Sequence, residues 1–371
     1  MKIMIVAPFD VKGRFKGGIS SIANTIVENQ SSLARLGLNV ITFDTCRIQR
    51  MDSKEGSLSK ENFANAFSLY KDIIKAINET KPDILYYHTS VKTALLKDLL
   101  VARHAKLKTH IPIILHIHFA DYNKIMIGNK TIDSIIISLL RRFIDRIIFL
   151  SERTKTEYIE HGIPCDKCHV VYNFSSISCN KNEIKTENTN RQFVFIGSID
   201  KRKGIFDLLK TISNLDGDYV LHICGECRTK EEEKEFSSYL DKKKYRIIHH
   251  GYVGENEKKQ ILTQADALVL PSYGEGLPMV IMEALSTGCY IISTNVGAIP
   301  EIVGSSNGIL IAPGDNKSLL TSMKNVLLMN NDDLQSIKLK NLKESEKYTF
   351  ETFIQQIVSI SQTLHKDEIV L

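Results

Sequence analysis

No stretch of the chain is both long and apolar enough to span a bilayer. The most apolar, 132–150, is broken by Asp133, Arg141, Arg142, Asp145 and Arg146, whereas a spanning helix needs about 20 predominantly apolar residues. The opening residues 1–7 lack the apolar h-region and small-residue cleavage site of an export signal, which predicts a first strand there and a cytoplasmic protein. Low-complexity tracts are missing too. Hydrophobic residues make up 43% and charged residues 25% of the chain, which excludes a disordered or fibrous protein. The basic residues have no interleaved aromatics and no RNA-binding motif, which argues against a nucleic-acid partner. No Ser-His-Asp or Cys-His arrangement suggests a nucleophilic triad. Cysteine is sparse and odd in number, seven in all, which reads as reduced thiols. Cys165/Cys168 and Cys224/Cys227 have CxxC spacing, but they fall at different strand ends of the pattern below, so two unrelated loops are expected rather than one zinc site.

What is present is regular alternation. With 371 residues, the chain exceeds what a single core usually serves, so two domains are expected. Short apolar runs at 2–7, 38–43, 83–87, 113–118 and 146–150 are separated by segments with helical spacing near 19–36, 65–79, 92–106 and 132–144. This predicts buried parallel strands in a doubly wound α/β sheet. Residues 176–191 then turn to Ser, Asn, Lys, Glu and Thr, the composition of a linker. Alternation restarts with runs at 193–197, 219–224, 246–250, 267–271, 289–293 and 308–311. The expected organisation is a Rossmann-like domain over 1–175, a linker over 176–191, a second Rossmann-like domain over 192–348, and a closing amphipathic helix within 349–371 that crosses back to the first domain.

The net charge of +5 is uneven: residues 1–180 hold 25 Lys and Arg against 17 Asp and Glu, the remainder 23 against 26. Lys92, Lys97, Arg103, Lys106 and Lys108 alternate with Leu95, Leu96, Leu99, Leu100 and Val101. That pattern fits a basic amphipathic helix resting on an anionic membrane surface, and equally a core-packed helix with a solvated face.

The segment richest in chemistry runs Pro271-Ser-Tyr-Gly-Glu275-Gly276-Leu277-Pro278-Met279, then on to Glu283 and Gly288. It reads as a strand end, a glycine-flanked loop and a helix with Pro278 at the first helical position. A helix N-terminus at the carboxyl edge of a parallel sheet is an anion site. Glu275 and Glu283 flank it, and ionised carboxylates suit sugar and ribose hydroxyls. Glu283 lies among Met279, Ile281, Met282, Ala284 and Leu285, so it must be paired or ligand-bound. His116 and His118 share a strand face; a metal pair there is open, but no third ligand stands nearby. Asp216-Gly217-Asp218 reads as a turn before a strand.

At Glu275 to Glu283 the chain resembles the family 4 glycosyltransferases, whose hallmark is E-x7-E within E-G-[LF]-P-x3-x-E-A. The resemblance implies the GT-B fold, two doubly wound Rossmann-like domains facing across a cleft, and a retaining, metal-independent transferase that uses no cofactor. It implies that Glu275 holds donor-sugar hydroxyls and Glu283 the nucleoside ribose, beside Gly276, Leu277, Pro278 and Met279. Gly17 and Gly18 match the glycine loop facing the donor, His118 the histidine near the transferred sugar, Asn173 the residue that closes the first domain, and 295–301 the late G-x-x-E turn. In Gly197-Ser198-Ile-Asp-Lys201-Arg202-Lys203-Gly204, Lys203 matches the diphosphate-binding lysine while Ser198 replaces the family's arginine, leaving Arg202 or a helix dipole to assist. Phe119 and Phe174 stand where glycine is common.

The reading is therefore a transferase moving a sugar from a nucleotide diphosphate, UDP by weak preference, to a glycan or lipid-linked acceptor in bacterial surface polysaccharide synthesis, at the inner face of the membrane. A sugar-nucleotide 2-epimerase and an inactive scaffold subunit are the alternatives.

Overall fold

The computed structural model describes residues 1–9, 18–45, 60–184, 190–240 and 246–369. They form two compact units, Met1–Tyr172 with Glu351–Leu371, and Asn173–Phe350.

The first unit runs β1 (Lys2–Ala7), α1 (Gly18–Glu28), α2 (Gln30–Arg35), β2 (Asn39–Asp44), α3 (Lys60–Thr80), β3 (Ile84–Thr89), α4 (Thr93–Thr109), β4 (Ile113–Ile117), α5 (Tyr122–Ile125), α6 (Lys130–Phe143), β5 (Arg146–Phe149), α7 (Glu152–Glu160) and β6 (Cys168–Val170). The strands pair in parallel in the order β2-β1-β3-β4-β5-β6. Every residue of β3 and β4 is buried, because helices cover both faces of a parallel sheet. The helix expected over 19–36 is two helices. Asn29 stands between them, and its side-chain amide bonds the carbonyl of Thr25 at 2.8 Å, the local competition with the backbone that makes Asn a poor mid-helix residue.

The second unit runs β7 (Arg191–Ile196), α8 (Ile205–Ile212), β8 (Tyr219–Cys224), α9 (Lys230–Leu240), β9 (Ile247–Gly251), α10 (Glu255–Gln264), β10 (Ala267–Leu270), α11 (Met279–Ser286), β11 (Tyr290–Thr294), α12 (Ile299–Ile302), β12 (Gly308–Ile311), α13 (Asn316–Leu328) and α14 (Asn331–Ser345). Its sheet order is β12-β11-β10-β7-β8-β9, again all parallel. Counted from β7, this is the doubly wound order whose strand sequence reverses between the first and fourth strands. Here those are β7 and β10. The last helix, α15 (Phe350–Ile369), lies in the first unit from Glu351 onward and buries Phe353, Ile354, Ile357, Ile360 and Leu364 along one stripe. No helix of the described residues is long and apolar enough to cross a membrane.

Candidate functional site

Ligands of an open α/β sheet bind outside the carboxyl ends of the strands, where the strand order reverses. In the second unit that point is flanked by the loop after β7, which carries Ser198 to Gly204, and the loop after β10, which carries Pro271 to Pro278. The two loops are tied together. Gly204 has φ +71°, and a Cβ there would stand 2.0 Å from the Pro271 carbonyl oxygen, so only glycine permits the approach. The Tyr273 N–H donates to the Arg202 carbonyl at 2.8 Å.

Within the first loop Asp200 caps a short turn, accepting from the Lys203 N–H at 2.8 Å and from Ser198 Oγ at 2.5 Å. The cap aims Lys203 at the second loop, where its Nζ lies 2.7 Å from Oε1 of Glu275. Arg202 Nη1 donates to the Gly274 carbonyl at 3.2 Å and lies 3.8 Å from Glu275 Oε2. Glu275 is only 6% exposed. A carboxylate so desolvated needs these cations.

The loop around Glu275 is held from behind. Gly297 has φ +58°, and a Cβ on it would meet the carbonyl oxygens of Glu275 and Gly276 at 2.4 Å. The Ala298 N–H donates to the Gly276 carbonyl at 2.9 Å, and the Asn173 amide to the Leu277 carbonyl at 2.6 Å. Asn173 thus has a definite task, the anchoring of this loop. Pro278 is not the first helical residue: its ψ of 129° is extended, and α11 begins at Met279. Glu283, on α11, is buried and paired, with Lys258 Nζ at 2.5 Å and Ser176 Oγ at 3.3 Å.

Three of these residues carry no signal in the sequence. Lys258 comes from α10 and Ser176 from the segment read as linker. Arg228 follows β8, and its Nε lies 3.6 Å from Asp200 Oδ2, the oxygen bound by Ser198. It reaches the first loop because β8 neighbours β7. A guanidinium therefore stands beside Ser198 although the chain has no arginine at that position.

His118 belongs to the first unit, one residue past β4. The expectation that His116 and His118 have no third ligand nearby is overturned: His88 on β3 is the register partner of His116, and one nitrogen of each of the three rings lies within 4.8 Å of the others. Strand pairing creates the group, and spacing along the sequence hides it. Gly18 opens α1, while Gly17 lies outside the described residues. The CxxC pairs fall in different units and their thiols are free. Asp216 and Asp218 precede β8, at the end of the sheet opposite Lys203 and Glu275, and Asp218 pairs with Arg246 at 3.0 Å. On α4, Lys97 pairs with the buried Asp98 at 3.2 Å, Lys106 with Asp145 at 2.8 Å, and Arg103 lies over the Phe143 ring at 5.6 Å.

Residues 23–177 match the family model of glycosyltransferase family 4, and residues 178–345 match that of glycosyl transferases group 1. The chain is 26% identical over 314 residues to an uncharacterized 41.2 kDa protein in the cps region of Klebsiella pneumoniae, covering 80% of this chain and 83% of that one. It is 25% identical over 333 residues to the lipopolysaccharide 1,6-galactosyltransferase of Salmonella typhimurium, covering 85% and 86%. Among solved structures, Anabaena HepE in complex with UDP superposes with a TM-score of 0.71 at 17% identity, over all of both chains. The fold is GT-B, and the matches support a group 1 glycosyltransferase; the 2-epimerase alternative is not favoured.

Proposed function

We propose that this group 1 glycosyltransferase moves a sugar from a nucleotide diphosphate, with retention of anomeric configuration and without a metal, to a glycan or lipid-linked acceptor in the synthesis of a surface polysaccharide. The observation that carries the reading is the Lys203–Glu275 pair, 2.7 Å long, at the strand-order reversal of the second sheet. A cation for a diphosphate and a carboxylate for sugar hydroxyls stand side by side where a nucleotide sugar needs both. Each satisfies the other across the two loops.

In this reading Glu275 accepts hydrogen bonds from the donor sugar, and Glu283, held by Lys258, accepts them from the ribose. The diphosphate lies against Lys203, Arg202 and the start of α11 at Met279, with Gly276, Leu277 and Pro278 shaping the loop. Arg228 supplies the charge that Ser198 does not. Breakage of the anomeric C–O bond puts positive charge on the sugar and negative charge on the leaving diphosphate, and fixed cations aimed at the latter stabilise that separation. The acceptor oxygen attacks from the leaving-group face, and its proton passes to the departing phosphate oxygen. Gly17, Gly18 and His118 are assigned to the donor and acceptor side by resemblance. A UDP-sugar remains the preferred donor, the class that HepE binds in its complex with UDP-glucose. The lipopolysaccharide 1,6-galactosyltransferase of Salmonella typhimurium and the cps-region protein of Klebsiella pneumoniae support the polysaccharide setting.

The test is product stereochemistry by NMR, with and without EDTA, once an acceptor is found among glycans and lipid-linked sugars. The same anomer in donor and product, at a rate EDTA leaves unchanged, is expected. Inversion, or loss of activity restored by Mg²⁺ or Mn²⁺, overturns the mechanism.

A further inference from the structure

Three imidazoles meet at the carboxyl ends of β3 and β4. His88 and His116 face each other across the two strands, and His118 projects on the same side as His116. The ring centroids are 4.0 Å apart for His116 and His118, 4.9 Å for His88 and His118, and 5.4 Å for His88 and His116. His88 and His116 are buried, and His118 is partly exposed. Of the ring nitrogens, His88 Nδ1 faces His118 Nε2 at 2.7 Å, and His116 Nδ1 meets Tyr86 Oη at 2.7 Å. One nitrogen on every ring is left over: His88 Nε2, His116 Nε2 and His118 Nδ1 are buried without a hydrogen-bond partner. Buried polar atoms are nearly always paired, and an orphan group asks for an ion, a water or a functional role. Here each ring of a three-histidine cluster carries one. Burial also keeps the rings neutral, the form that ligates metals: it pushes His88 down to about 3 and holds His116 and His118 well below the usual histidine range, with the neighbouring rings adding to the effect in the latter two.

We propose that His88, His116 and His118 bind one divalent transition-metal ion of the zinc type, each ring giving one nitrogen. Three imidazoles suit Zn²⁺ or Co²⁺ in a tetrahedral site whose fourth position is left to water or another oxygen ligand. The partial exposure of His118 leaves that position within reach of solvent. Each neutral ring keeps a single N–H, which in the bound state stands on the nitrogen that does not ligate. With His116 Nδ1–H donating to Tyr86 Oη, its Nε2 presents the lone pair, and Tyr86 fixes the ring as an outer-shell partner does. The ion has no step in the transfer proposed above, which draws on Lys203 and Glu275. Because His118 is also assigned to the donor and acceptor side, binding is read from the ion itself and not from activity.

The experiment uses the tag-free full chain, stripped with a chelator and titrated with Co²⁺ followed by visible absorption, then with Zn²⁺ by calorimetry. One equivalent of Co²⁺ with the absorption of a tetrahedral nitrogen-rich site, displaced by Zn²⁺, is expected. Tyr86→Phe should weaken binding by about ten- to a hundredfold, and His88→Asn and His116→Asn by more. Absence of stoichiometric binding in the wild type, a thiolate charge-transfer band that puts the ion on cysteine, or unchanged affinity in both folded histidine variants overturns the proposal. If those variants do not fold, the wild-type Co²⁺ spectrum decides alone: a tetrahedral spectrum without the thiolate band supports the site, and any other result overturns it.

Discussion

Substitutions of Lys203 and Glu275 should differ in their effect on stability. Lys203→Ala removes the cation and leaves a nearly buried carboxylate without its main partner, so it should lower the melting temperature as well as activity. Glu275→Gln keeps the shape and removes the charge, so it should mainly lower activity. Loss of one positioned charge-stabilising group commonly costs on the order of 10²–10³ in kcat, and steady-state kinetics at a temperature where both variants are folded should show that range for Lys203→Ala. Arg228→Ala should instead raise the donor KM several-fold with little change in melting temperature, because its side chain is 60% exposed; an unchanged KM would remove Arg228 from the site. The motif spacing made Glu275, Glu283 and Lys203 legible in the sequence, since each lies within a short continuous segment. Lys258, Arg228 and His88 were not legible. Each reaches its partner through helix packing or strand pairing between distant segments, and no local pattern records that.

At the level of elements, the apolar runs announced β3, β4 and β10 because buried central strands admit nothing else. The short β6 left no pattern of its own; pairing with β5 defines it. The least expected contact joins α14 to the second sheet. Lys338 is 1% exposed, and its Nζ lies 3.1 Å from Asp266 Oδ1, while Asp266 Oδ2 accepts the Gln192 N–H at 2.9 Å. Breaking a buried pair from one side costs about 3–5 kcal/mol, whereas replacing both partners is often neutral. Urea unfolding should therefore show Lys338→Met strongly destabilised and Lys338→Met with Asp266→Asn largely recovered. Equal destabilisation of the two would mean the pair is not what holds α14.

For the whole molecule, the alternation of strands and helices was enough to read two doubly wound sheets, but not the order of their strands, which turns on pairings the sequence does not state. The basic surplus of residues 1–180 is partly consumed by structure, since Lys97 and Lys106 of α4 serve acidic neighbours. The proposed contact with an anionic membrane then rests on Lys92 and Lys108, which are exposed, as are Leu100 and Leu107 of α4. At about 1 kcal/mol per basic residue near the surface, docking should be weak and salt-sensitive. Co-sedimentation with anionic vesicles at low salt should fall at high salt and in a Lys92→Ala, Lys108→Ala variant; equal binding to neutral vesicles would end that reading. The central claim is a donor site for a nucleotide diphosphate built on Lys203 and Glu275. Calorimetric titration of the full chain with UDP, GDP and ADP and their sugar conjugates, beside Lys203→Ala, tests it most directly. One nucleotide should bind stoichiometrically without added metal, its sugar conjugate more tightly, and the variant at least about tenfold more weakly, in keeping with the loss of a charge-assisted contact. No binding by any of the three families, or equal binding by the variant, would contradict the account.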